Sequence, residues 1–121
     1  MSFRILGTGS CLPEQIVSNS ELSQALDTSD EWITQRVGIR ERRVCTTETT
    51  SELAYKAAKA ALDMSSVKPE ELDMIICATV SPDNAAPSVA CSIQPMIDAV
   101  CPAMDINAAC SGFIYALDTA A

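Results

Sequence analysis

One segment of this chain places a cysteine where sulfur becomes reactive. Asp105-Ile106-Asn107-Ala108-Ala109-Cys110-Ser111-Gly112-Phe113 reads as a strand, a tight turn and a helix start. Cys110 then sits at or beside a helix N-terminus, where free amides and the helix dipole favour a thiolate. A thiolate attacks acyl carbonyls such as those of thioesters. Ala108, Ala109 and Gly112 are small enough to let a carbonyl approach the backbone, and the Cys110 amide is a candidate oxyanion donor. A strand-turn-helix elbow is a known way to expose a nucleophile. The plain alternative is a small buried core residue, and on the residues alone both stand.

Trp32 and Arg36 form a second pair with chemical potential. They lie four residues apart, on one face of a helix. An indole and a planar guanidinium together hold a nucleic base by stacking and cation–π attraction. The alternative is a Trp packed in the core and an Arg in a surface ion pair. Arg36, Arg40, Arg42 and Arg43 make up four of the chain's eight basic residues. That cluster suits phosphates or an acidic partner, or else protects the edge of an exposed strand.

The rest of the composition limits the chemistry. With 121 residues, 48% hydrophobic and 20% charged, the chain is suited to a folded core. A net charge of −8 argues against a general nucleic-acid binder. The absence of His and of any Cys-x-x-Cys pair argues against a metal site. No signal-peptide pattern opens the chain, and no apolar run reaches the roughly 18 residues of a membrane span. Cysteines inside apolar runs, as in Ile76-Cys77-Ala78, read as small hydrophobes in a reducing cytoplasm.

Several elements position these residues. Arg4 to Gly9 reads as a first strand ending in a Gly-rich turn. Ser18-x-x-Glu21, Thr28-x-x-Glu31 and Thr49-x-x-Glu52 are capping-box patterns that open three helices. Gly38 stops the second of these, which carries Trp32. Ile39 to Val44 alternates as an exposed strand. Leu53, Ala57 and Ala61, with Ala54, Ala58 and Leu62 beside them, stripe the third helix. Pro69-Glu70-Glu71 is a helical turn, and Met74 to Val80 fits a strand buried on both faces. Ser88 starts a helix that Pro95 kinks or ends. Ala103 to Ile106 is a short strand, and an apolar helix follows from about Ser111. Strands alternating with helices imply an α/β layered fold with a mostly parallel sheet. The chain closes on Thr119-Ala120-Ala121 inside a helical pattern, which reads as a longer domain cut short.

Three blocks resemble the ketoacyl-acyl-carrier-protein synthase III family of the thiolase-like superfamily. They are Gly7-Thr8-Gly9-Ser10 with Leu12-Pro13-Glu14, then Asp27-Thr28-Ser29-Asp30-Glu31-Trp32-Ile33 leading to Arg36-x-Gly38-Ile39-Arg40-Glu41-Arg42, and finally Ala109-Cys110-Ser111-Gly112-Phe113. Ala78 to Asp83 and Pro87-Ser88 are also similar. The resemblance implies that residues 1–121 are an incomplete N-terminal thiolase-like domain, with the C-terminal half absent. It implies a fatty-acid-initiating acyltransferase in which Cys110 takes an acyl group, commonly acetyl, from acyl-CoA. Decarboxylative condensation with malonyl-acyl-carrier protein follows in the intact enzyme.

Under the same resemblance, Thr28, Trp32 and Arg36 hold the nucleotide end of coenzyme A. Ala86 and Pro87 belong to a loop that reaches a partner's acyl pocket in a homodimer. Ala86 stands where some relatives carry a bulky aromatic, which implies room for primers larger than acetyl. No cofactor is implied, coenzyme A thioester being substrate. Nor is a nucleic-acid or membrane partner implied, and the setting is cytoplasmic. The family's catalytic His and Asn come from its second half, so this chain alone is expected to be inactive in condensation. The alternatives are a related acyl-CoA condensing enzyme and an inactive binding or regulatory fragment.

Overall fold

The computed structural model describes residues 3–121. These form two units, one made of the described residues up to Cys11 together with Thr49–Ala121, the other of Leu12–Glu48.

In the Leu12–Glu48 unit, strand β1 (Gln15–Ser18) runs directly into helix α1 (Asn19–Ala25). The expected capping box is present: Ser18 Oγ accepts from the Glu21 amide, and Glu21 accepts in return from the Ser18 amide at 2.7 Å. Helix α2 (Asp30–Val37) follows and ends on Gly38, whose φ of 72° is the left-handed cap that glycine adopts without strain. Strand β2 (Glu41–Val44) pairs antiparallel with β1, from Gln15 opposite Val44 to Ser18 opposite Glu41. β1 was not expected; its Ile16-Val17 pair is β-branched and suited to a strand.

One capping expectation moves by a residue. The N-cap of α2 is Ser29, not Thr28: Ser29 Oγ accepts from the Trp32 amide at 3.1 Å. Thr28 therefore lies outside the helix with its hydroxyl unused in capping.

The other unit is layered. Helix α3 (Thr50–Ser65) opens with the capping box at Thr49 and Glu52. Asp83 reinforces that end, its two carboxylate oxygens accepting from the Thr50 and Ser51 amides at 2.7 and 2.8 Å. A 3-10 turn at Pro69–Glu71 leads to strand β3 (Ile75–Ala78). Helix α4 (Val89–Met96) ends just past Pro95, and strand β4 (Ala103–Ile106) lies parallel to β3 from Ile75 opposite Ala103 to Ala78 opposite Ile106. Helix α5 (Gly112–Ala120) closes the series.

The core gathers Ile97, Ala99 and Cys101 against Tyr55, Ala58, Leu62, Leu72 and Ile75. Val89 and Ala90, essentially closed to solvent, lie at the start of α4. Burying a Val side chain stabilises a fold by about 1.5–3 kcal/mol. Parallel β3 and β4 with helices bear out the α/β expectation, while β1 and β2 add an antiparallel pair.

Three details differ from expectation. β3 is half-buried rather than closed on both faces, and among the described residues it pairs with β4 alone. Residues 4–9 have no ladder partner among the described residues and so are not a strand. They lie instead against α3 so closely that a Cβ on Gly7 would meet Ser65 Cβ at 2.9 Å, and one on Gly9 would meet Ala60 Cβ at 3.0 Å. The cysteines are not uniformly core: Cys101 is buried, but Cys45, Cys91 and Cys110 are exposed.

Candidate active site

β4 delivers the chain into the turn that carries Cys110. Ala109 precedes it with φ 44°, left-handed backbone in a residue with a Cβ. Such a conformation costs about 1–3 kcal/mol and concentrates at functional turns. A 3-10 turn over Ala109–Ser111 then passes into α5. The Ser111 and Gly112 amides donate to the Ala108 and Ala109 carbonyls. Gly112 is buried and tightly seated: a Cβ there would meet Ala78 Cβ at 3.3 Å. The sulfur-bearing residue is exposed at the start of a nine-residue helix, as its flanking residues predict.

Cys110 opens on a cavity of about 1040 Å³ whose walls include Ala58, Ile76, Cys77, Phe113 and Leu117. A largely aliphatic wall suits an acyl chain. Cys77 shares the cavity. Burial pushes its thiol above the ordinary range, and the charge of Asp105 adds to the rise. Cys77 is therefore protonated at neutral pH.

Asp105, opposite Cys77 in the ladder, has a second role that sequence reading did not assign. Its carboxylate accepts from the Val89 amide at 2.9 Å and the Ala90 amide at 2.8 Å. A carboxylate at a helix N-terminus satisfies free amides and the dipole together. Asp105 thus ties the strand entering the Cys110 turn to the helix that follows the 84–87 loop. In that loop Ala86 and Pro87 are both exposed.

Trp32 and Arg36 share a face of α2, with the guanidinium carbon 5.1 Å from the ring centroid. The indole is 55% exposed, so it is not the core Trp of the plain alternative. At that distance the guanidinium lies too close to the ring for a base to fit between the two. Trp32 and Thr28 line a groove of about 610 Å³ with Leu22, Leu26, Asp27, Ser29 and Ile33. Thr28 Oγ1 is buried without a hydrogen-bond partner among the described residues. Buried hydroxyls are ordinarily hydrogen-bonded, so this one stands out.

The Arg cluster divides. Arg42 donates to the Val17 carbonyl and Asn19 Oδ1, and Arg43 to the Pro13 and Glu14 carbonyls. Those two guanidinium groups serve the fold. Arg36 and Arg40 are exposed. Among the described residues no cluster of His, Cys, Asp and Glu could hold a metal ion, and no helix is long and apolar enough to cross a membrane.

No family model matches the chain. Comparison with known proteins nonetheless places it clearly. Its fold is thiolase-like. The Aquifex aeolicus 3-oxoacyl-[acyl-carrier-protein] synthase III crystal structure superposes with a TM-score of 0.93 at 52% identity, over 97% of this chain and 38% of that one. The priming β-ketosynthase of the R1128 polyketide pathway follows at 0.91 and 36% identity, over 98% of this chain and 36% of its own. The chain matches the N-terminal part of β-ketoacyl-[acyl-carrier-protein] synthase III. It is 55% identical to the Clostridium acetobutylicum protein of that name over 98% of its own length and 37% of the relative's. The Aquifex aeolicus protein of the same name is 51% identical over 99% of this chain and 39% of the relative. The chain thus spans under two-fifths of the length of these relatives.

Proposed function

We propose that this chain carries the acyl-accepting thiol and the coenzyme A clamp of a condensing acyltransferase that initiates fatty-acid synthesis. The observation that carries the reading is Cys110, exposed on a strained turn at a helix start and opening on an aliphatic cavity. Its sulfur attacks the carbonyl of an acyl-CoA, commonly acetyl-CoA. The new C–S bond forms as the bond to coenzyme A breaks, and coenzyme A leaves as its thiolate. The Cys110 amide is the proposed oxyanion donor for the tetrahedral intermediate.

Trp32 offers its indole to the adenine, Arg36 its charge to the phosphates, and Thr28 a further contact along the same groove as Trp32. The thioester is a substrate, and no cofactor takes part. The second stage is decarboxylative condensation with malonyl-acyl-carrier protein. It requires the His and Asn that the family supplies from its second half, and this chain contains no His. We propose that those groups belong to the remainder of the fold, in a cytoplasmic homodimer to which the exposed Ala86–Pro87 loop contributes. A related acyl-CoA condensing activity is the second reading, favoured by the likeness to the priming β-ketosynthase.

Intact-mass measurement after mixing the protein, as its gene encodes it, with acetyl-CoA tests this. One acetyl increment is expected, abolished in Cys110→Ala. No increment on folded protein, or one that survives Cys110→Ala, overturns the reading.

A further inference from the structure

Asn19 is the buried polar side chain of the described residues, at 1% exposure. Its amide is fully used. Nδ2 donates to Asp30 Oδ1 at 2.8 Å and to the Ile39 carbonyl at 2.7 Å. Oδ1 accepts from Arg42 Nη2 at 2.5 Å. Its backbone amide donates to the Arg40 carbonyl at 3.1 Å.

These partners share a property. Asp30 is the first residue of α2, and Ile39 and Arg40 follow the Gly38 that caps it. One side chain and its own amide therefore grip both ends of the helix that carries Trp32 and Arg36. Arg42 extends the grip to β1 through the Val17 carbonyl at 3.2 Å.

We infer that Asn19 is a positioning residue for recognition of the nucleotide portion of acyl-CoA, fixing the pose of the Trp32–Arg36 pair without touching the ligand. The inference rests on the proposed clamp reading. The chemistry required is specific: two donors and one acceptor in one short planar group. Asp has the shape but no donor, and its charge would face Asp30. Loss of a partner leaves buried groups unpaired, which costs more than the bond itself contributed.

A merely stabilising Asn19 would damage the whole protein evenly, whereas a positioning Asn19 acts on the nucleotide alone. The test compares acetyl-CoA with acetyl-pantetheine, a thioester that lacks the nucleotide, on the protein as its gene encodes it. Asn19→Asp is expected to lower kcat/KM for acetyl-CoA about tenfold, through KM. Acetyl-pantetheine should be unaffected. The exchange Asn19→Asp with Asp30→Asn restores a donor–acceptor match between the two positions and should recover part of the acetyl-CoA loss. It also serves if the single variant fails to fold. Equal losses with both thioesters, or no loss with acetyl-CoA, overturn the inference.

If the wild-type protein uses acetyl-CoA no better than acetyl-pantetheine, the clamp reading fails instead. Trp32 emission, taken as the difference from Trp32→Phe, then decides the positioning role. Greater acrylamide quenching in Asn19→Asp supports it, and unchanged quenching overturns it.

Discussion

Around Trp32 and Arg36, position is set by directed hydrogen bonds, with Asn19, Asp30 and Arg42 forming a connected polar set under α2. Around Cys110, position is set by backbone geometry and small residues: Ala109 left-handed, Gly112 seated against Ala78. Each arrangement fits the part its residues are proposed to play. A clamp for a flat base needs a defined helix pose. A nucleophile needs clearance around one atom, and small residues provide it. The contrast also locates vulnerability: the clamp region is sensitive to polarity at fixed shape, the turn to volume at fixed polarity.

The largest expected effect challenges that contrast, because the Cys110 side holds one strong polar tie. Asp105→Ala removes two carboxylate bonds to the α4 N-terminus and should destabilise the protein by about 2 kcal/mol. Denaturant unfolding measures this. A loss near zero would mean that packing alone holds the joint. A smaller effect of opposite sign sharpens the contrast. Ala109→Gly relieves the left-handed strain and should stabilise by up to about 1 kcal/mol. It also loosens the turn, so Cys110 acylation, followed by mass, should slow. Stabilisation with unchanged acylation would show that strain is not what positions the sulfur.

The smallest effect belongs to the Leu12–Glu48 unit. The Thr46 amide, aided by those of Glu48 and Thr47, lowers the Glu48 carboxyl from 4.5 to about 2. A group whose folded pKa is depressed stabilises the fold fully above its unfolded value and loses that contribution as pH falls through the folded one. Glu48→Gln should therefore lower stability slightly in the neutral range, and the difference from the parent protein should fade as pH falls from 4.5 to about 2. Solvent exposure keeps the effect small. Unfolding curves of both proteins across that window check it.

Much of this arrangement is legible in the residues. Ser18 with Glu21 and Thr49 with Glu52 announce their helices because capping is local chemistry. Gly38 and Pro95 end theirs for equally local reasons. β4 and the Cys110 helix start follow from short-range pattern, and the Trp32–Arg36 contact from helical spacing. What escapes depends on partners distant in the chain. Residues 4–9 have strand character, but a strand exists only with a neighbour. The capping box read at Thr28 and Glu31 does not form, and the folded geometry puts the cap at Ser29 instead. Arg42 looks like part of an anion site until Asn19, 23 residues away, claims it. Asn19 itself looks like an ordinary first-turn residue. Its one signal is an amide side chain directly after an N-cap serine, too common to single out.

The Gly7 and Gly9 approach to α3 has an entropic consequence. The residues that meet there are Gly7, Gly9, Ala57, Ala60, Ala61 and Ser65. Glycine and alanine have no rotamers to freeze, whereas long side chains lose up to about 2 kcal/mol each when immobilised. Ordering this joint therefore restricts backbone almost alone. Once formed, it has no side-chain conformations through which to relax, so a methyl group added at either glycine must be accommodated by moving the helix.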